Sequence, residues 1–137
     1  MPFKDIVRGK LLTGHKISTS MPFRFESFDI WHMAREYAQK VYAATSRFPR
    51  HEDYGLRSQM NRAANSISLN IAEGSAKGSN KALDYHLEVA IGSTFEVAGA
   101  TFLALDNTYI TSEQQRELYE QGQKLAKSIN AFRNTLQ

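Results

Sequence analysis

Few residues in this chain could do chemistry, and their spacing narrows what that chemistry would be. A carboxylate and a histidine three residues apart on a helix can share a metal, and Asp29-x-x-His32 has that form. A dimetal bundle, however, needs paired Glu-x-x-His motifs on two helices and carboxylates from the others, all facing inward. His15, His51 and His86 have no partners at ligand spacing, so no metal site and no cofactor are expected. The chain has no cysteine, which removes thiol nucleophiles, thiolate zinc sites and disulfides, and fits a reducing cytoplasm. Serine, histidine and acids are present and could meet in space, but no nucleophile elbow accompanies them. The residues point away from an enzyme.

Phosphate binding has a stated mechanism in one place. Gly74-Ser75-Ala76-Lys77-Gly78-Ser79 could let backbone N–H groups approach an anion. Lys77, Lys81 and the start of the following helix would add positive charge. The turn lacks the Gly-Lys-Ser/Thr ending and the preceding strand of a P-loop. A plain interhelical turn and a weak phosphate contact therefore both stand. Asn61, Asn65, Ser68 and Asn70 lie among Ala63, Ala64 and Ala72 on one helix. They read either as amides bonding each other and nearby backbone, or as a polar seam facing a subunit or channel.

The elements that must position these groups are helices. Between Ser27 and Phe48, Trp31, Ala34, Ala38, Val41, Thr45 and Phe48 step by threes and fours, with Ser27 as N-cap and Pro49 as terminator. A second helix is expected from Asp53 to Glu73 on the stripe Leu56, Met60, Ala63, Ile67 and Ile71, closed by Gly74 as a left-handed cap. The third runs from Asn80 to Asn107 with Ser79 as N-cap and carries two seams. Leu83, Leu87, Ala90, Thr94, Val97, Thr101 and Ala104 form one; Ile91, Phe95, Ala98, Phe102 and Leu105 form the other. So wide an apolar arc predicts burial on most sides, and the second seam, with Ile91, Phe95 and Phe102, is the expected oligomer interface. Thr111 or Ser112 opens the fourth helix, each with a glutamine three residues on. Short linkers make the fold all-α: an antiparallel up-down-up-down four-helix bundle, oligomeric.

Charge is distributed unevenly. Residues 1–24 hold five basic side chains against Asp5, a net of +4, whereas the remainder has 12 basic and 13 acidic residues. We read 1–24 as a mobile basic tail and 25–137 as the bundle domain, with Met21 a candidate alternative start. The tail lacks the apolar centre of a signal peptide, and no uninterrupted apolar run approaches the ~18 residues of a membrane helix. In the up-down topology, the second loop and both termini share one end. That end gathers Lys77, Lys81 and Arg133, the candidate nucleic-acid contacts, together with the tail.

The body also resembles a family. Phe28, Trp31, Phe48-Pro49, Glu52, Tyr54-Gly55-Leu56, Arg62-Ala63-Ala64 and above all Asn70-Ile71-Ala72-Glu73-Gly74 carry the likeness, with Ala90 and Gly92-Ser93. They resemble the small four-helix-bundle proteins encoded in intervening sequences of bacterial 23S ribosomal RNA genes. The likeness extends to the accessory protein of diversity-generating retroelements, a ring-shaped homopentamer that binds nucleic acid and a reverse transcriptase. The resemblance implies a pentamer that binds RNA or DNA and has no enzyme activity. A protein–protein scaffold or adaptor with no nucleic acid is the competing expectation. Two departures stand out: Asn107-Thr108-Tyr109 replaces a Leu-Gly-Tyr turn, and Ala98-Gly99-Ala100 replaces bulkier residues.

Overall fold

The computed structural model describes residues 22–137; the tail reading for residues 1–21 lies outside them. A 3₁₀ turn, Arg24–Ser27, leads into α1 (Asp29–Thr45), and a second, Arg50–Glu52, precedes α2 (Leu56–Ser75). Then come α3 (Asn80–Asp106) and α4 (Ser112–Asn134), with no strand among the described residues. Successive helices pack as neighbours and α4 closes back on α1, most extensively at α2–α3 and most sparsely at α1–α4. This is the antiparallel bundle that the periodicity predicts.

Burial follows the stripes. Ala34, Tyr37 and Val41 of α1, Ile67 and Ile71 of α2, Leu83, Leu87 and Val97 of α3, and Leu125 and Ile129 of α4 are buried and meet in one core. Small residues set the helix separation. Gly122 sits beneath the Tyr37 ring, where an added Cβ would lie 2.7 Å from the phenolic oxygen. The Tyr37 hydroxyl donates to the Leu118 carbonyl at 3.1 Å, and burial pushes its pKa up.

Two cap assignments differ from the expectation, and α1 ends at Thr45 rather than at Phe48. Ser27 is not the N-cap of α1: its hydroxyl donates to the Arg24 carbonyl, and Phe28 takes the cap position with its ring against Phe132, 4.7 Å between centroids. Aromatic burial outweighs a hydroxyl cap here, because the ring contributes more by leaving water than one such bond. Likewise Gly74 is not a left-handed cap. It lies inside α2, which continues to Ser75, and an added Cβ would come 2.7 Å from the Cβ of His86. The glycine serves the approach of α3.

The other signals act as read. The Ser79 hydroxyl accepts from the Ala82 N–H, and Thr111 forms a reciprocal capping box with Gln114. The start of α2 is later than Asp53 because the Glu52 carboxylate does the capping: one oxygen accepts the Leu56 N–H at 2.8 Å, the other the Tyr109 hydroxyl at 2.7 Å. Those two bonds hold the Glu52 carboxyl below its usual range, the Leu56 amide contributing most. A Cβ on Gly55 would run into the same carboxylate. The departure at Thr108 also finds its place. After α3, the N–H of Thr108 bonds the Leu105 carbonyl and that of Tyr109 bonds Ala104, a Schellman closure whose left-handed residue is Thr108 at φ 59°. A β-branched residue is strained there, which glycine would not be.

Candidate nucleic-acid interface and subunit face

The topology brings Lys77, Lys81 and Arg133 to one end of the bundle, beside the α2–α3 turn and the C-terminus, which are tied by Asn80 Nδ2 donating to the Leu136 carbonyl. Within that end the three differ. Lys81 is exposed in the first turn of α3 and has no ion pair among the described residues. Lys77 lies 4.0 Å from Glu73 one turn earlier, a half-exposed pair that leaves the ammonium available to solvent. Arg133 is engaged: its guanidinium donates to both oxygens of Asp84, at 2.8 and 3.1 Å, and to Glu88 at 3.4 Å. This pairing holds the Asp84 carboxyl below its usual range and raises the guanidinium. An arginine so placed braces α4 against α3 before it can meet a phosphate.

The Gly74–Ser79 turn is a poorer anion cradle than its composition implies. Gly74 is buried in the helix, and the amides of Ala76 and Lys77 already donate to the carbonyls of Glu73 and Gly74. The Asn70–Gly74 string has a structural task instead. Asn70 donates to the Ser66 carbonyl and hydroxyl, and its Oδ1 lies 3.1 Å from His86 Nδ1. Glu73 stands 3.8 Å from the other ring nitrogen, and Gly74 leaves the room that the ring's Cβ needs. Together they form a socket for His86 between α2 and α3. The remaining amides also bond within the bundle: Thr45 donates to Asn61 at 2.7 Å and Asn65 to the Tyr42 hydroxyl at 2.8 Å. Ser93 donates to Ser66 at 2.8 Å.

At the opposite end, His51 lies 3.1 Å from the Tyr109 hydroxyl that Glu52 accepts, and Tyr109 packs on Phe48. The cluster clasps the first loop to the third. Sequence spacing alone concealed it, since 57 residues separate Glu52 from Tyr109; the visible signal was an acid placed just ahead of Gly55. Asp29 and His32 do not converge on a ligand cluster: His32 Nε2 lies 3.0 Å from the Glu26 carbonyl, and no group of three metal-ligating side chains gathers among the described residues. An open groove of about 660 Å³ between α1 and α4 has Met33 and Leu125 on its floor and Glu36, Lys40, Glu117 and Lys124 at its sides.

The two seams of α3 separate cleanly. The first is buried along its whole length, whereas on the second Phe95 is 68% exposed and Phe102 48%, with Ile91 half-buried between them and the core. Leu103 and Tyr85 add exposed apolar surface on the same helix. Phe102 rests edge-on against Tyr119 of α4, 5.7 Å between centroids. By length and apolar content α3 could cross a membrane, but its inner face is the core of the bundle.

Comparison with known proteins agrees with this architecture. No curated protein matches the chain. Among solved structures, it is similar to a protein of unknown function from the S23 ribosomal protein family of Bacteroides thetaiotaomicron. The two are 19% identical with a TM-score of 0.70 over 76% of this chain and 97% of that one, a likeness of fold. The family model described as 23S rRNA-intervening sequence protein matches residues 26–131, from the turn before α1 to the last turns of α4. With the bundle and the Asn70–Gly74 socket both in that span, the chain belongs to the 23S rRNA-intervening sequence protein family.

Proposed function

We propose that this protein is a non-enzymatic, cytoplasmic homo-oligomer that binds nucleic acid, structured RNA foremost, through phosphates rather than bases. The observation that carries the binding is the pair of solvent-facing ammonium groups, Lys77 and Lys81, beside the N-terminus of α3. One such pair is weak. Repeated around a symmetric assembly, it becomes a rim that displaces counterions from a phosphate backbone. Assembly uses the exposed second seam of α3, and five copies is the number that the resemblance implies. Arg133 contributes less than the lysines, because Asp84 and Glu88 already hold it.

The test is binding to a structured RNA and a duplex DNA as a function of salt, with oligomer mass measured in parallel. Affinity should fall steeply with salt, and Lys77→Glu or Lys81→Glu should flatten that dependence by about one unit of log–log slope per site contacted. Phe95→Glu should lower the mass while leaving the helical spectrum intact. A protein–protein scaffold is the second reading, supported by the near-neutral body and the exposed aromatic seam. No binding at low salt by a protein that does assemble would favour it.

A further inference from the structure

We infer that the socket around His86 makes phosphate binding at this end of the bundle respond to pH: when the ring takes a proton, Glu73 pairs with it instead of with Lys77, and the rim gains a positive charge. The inference rests on the phosphate contact proposed above for Lys77 and Lys81, and adds its regulation.

The tautomer of the neutral ring follows from its neighbours. Asn70 Nδ2 donates to the Ser66 carbonyl at 2.9 Å and to the Ser66 hydroxyl at 3.0 Å. A carbonyl only accepts, so the amide cannot be turned the other way, and its Oδ1 faces the ring. His86 Nδ1, 3.1 Å from that oxygen, must carry the hydrogen. A neutral imidazole has one N–H, which leaves a lone pair on Nε2, and Nε2 stands 3.8 Å from the Glu73 carboxylate. Two acceptors face each other there. A proton on Nε2 turns this opposition into a charge-assisted pair, and histidine is the side chain that ordinarily changes charge between about pH 5 and about pH 8.

Glu73 is shared between two cations-to-be. One oxygen, Oε2, lies 4.0 Å from Lys77 Nζ and 3.8 Å from His86 Nε2. A carboxylate beside an outward lysine offsets part of the attraction that the ammonium exerts on a phosphate. With the ring neutral, Glu73, Lys77 and Lys81 carry a net of +1; with the ring protonated the cluster carries +2. The other charged groups nearby are engaged elsewhere. On α3, Asp84 is held by Arg133 of α4, which also reaches Glu88, and Tyr85 meets the imidazole edge-on at 5.5 Å. In the 3₁₀ turn that packs on α2, Glu26 accepts the Phe23 N–H and Arg24 lies over the Phe28 ring. His32 of α1 is turned to the Glu26 carbonyl. Glu73 is thus the acid that answers His86. Linkage runs both ways: a phosphate bound at the rim strengthens the ring's hold on its proton, so binding near neutral pH takes up protons.

The test is affinity for a structured RNA at fixed ionic strength, measured from about pH 8 down to about pH 5.8. The wild type should bind about two- to five-fold more tightly in acid for each copy engaged. His86→Gln, which takes no proton, should stay at the wild type's alkaline affinity throughout, whereas His51→Gln, at the far end of the bundle, should keep the full response. Glu73→Gln leaves the ring in place and should reach at the alkaline limit the affinity that the wild type shows in acid. Proton uptake on binding, read by calorimetry in buffers of different ionisation enthalpy, should fall in His86→Gln. Salt-sensitive RNA binding that Lys77→Glu weakens, but whose pH response is nil or is the same in the wild type and His86→Gln, overturns the switch and leaves the nucleic-acid reading standing. An absence of RNA binding at low salt and at every pH overturns both.

Discussion

Along α3, the face turned toward α2 and α4 carries Ala90, Thr94, Val97, Thr101 and Ala104, all buried, while the opposite face carries Gly92, Phe95, Gly99 and Phe102. The inward residues are small, and their hydroxyls are satisfied nearby: Thr94 donates to the Ala90 carbonyl, and Thr101 donates to Ala98 while accepting from Gln115. Small side chains let the neighbouring helices approach, and no polar atom of that seam asks for a partner outside the subunit. The outward face reverses the pattern, with large rings in solvent and open space beside them. Apolar content alone does not distinguish a core from a contact surface. The size and order of the residues do.

Mutations on the two faces should therefore report on different equilibria. The largest effect is expected inside: Leu87→Ala empties a fully buried site and should cost about 2–5 kcal/mol of unfolding free energy, read by denaturant titration of a variant kept monomeric by Phe95→Glu. A loss as large from an outward substitution in that monomeric background would break the distinction. Next comes the turn that ends both seams. Thr108→Gly relieves a left-handed threonine and should raise stability by about 1 kcal/mol without moving the association constant. Smallest, and most discriminating, is Gly99→Ala. With open space for the new methyl, the subunit should gain about 0.5–1 kcal/mol from helix propensity, while self-association weakens because the methyl rises between exposed Phe95 and Phe102 on the face proposed for assembly. Opposite signs in the two measurements would sharpen the comparison; equal signs would erase it.

Much of this was legible in the sequence, for particular reasons. Steps of three and four located every helix, and Ser79 and Thr111 announced their caps, because those signals depend only on neighbours in the chain. Ser27 and Gly74 misled because distant residues overruled them: Phe132 draws Phe28 into the cap position, and His86 needs the space that Gly74 leaves. Topology brought the candidate binding residues to one end of the bundle. Sequence could not show that Arg133 is held by Asp84, 49 positions away, while Lys81 stays open. The Asn70–Gly74 string carried the resemblance, yet its chemistry, a socket for a ring on the next helix, emerges only when α3 is laid beside it.

The close fit of Tyr37 over Gly122 also gives the protein an optical reporter. An exposed phenol ionises near pH 10 and its phenolate absorbs at longer wavelength, but the Tyr37 hydroxyl is enclosed and donates to Leu118, and burial raises its pKa. The unfolded chain releases this proton at lower pH than the native one. The associated stability is thus present below about pH 10 and lost as alkalinity rises above it. Of six tyrosines, this one should gain its phenolate absorbance only as helicity disappears, so that alkaline titration followed by absorbance and circular dichroism together reads the opening of α1 from α4. In Tyr37→Phe that coincident step should vanish.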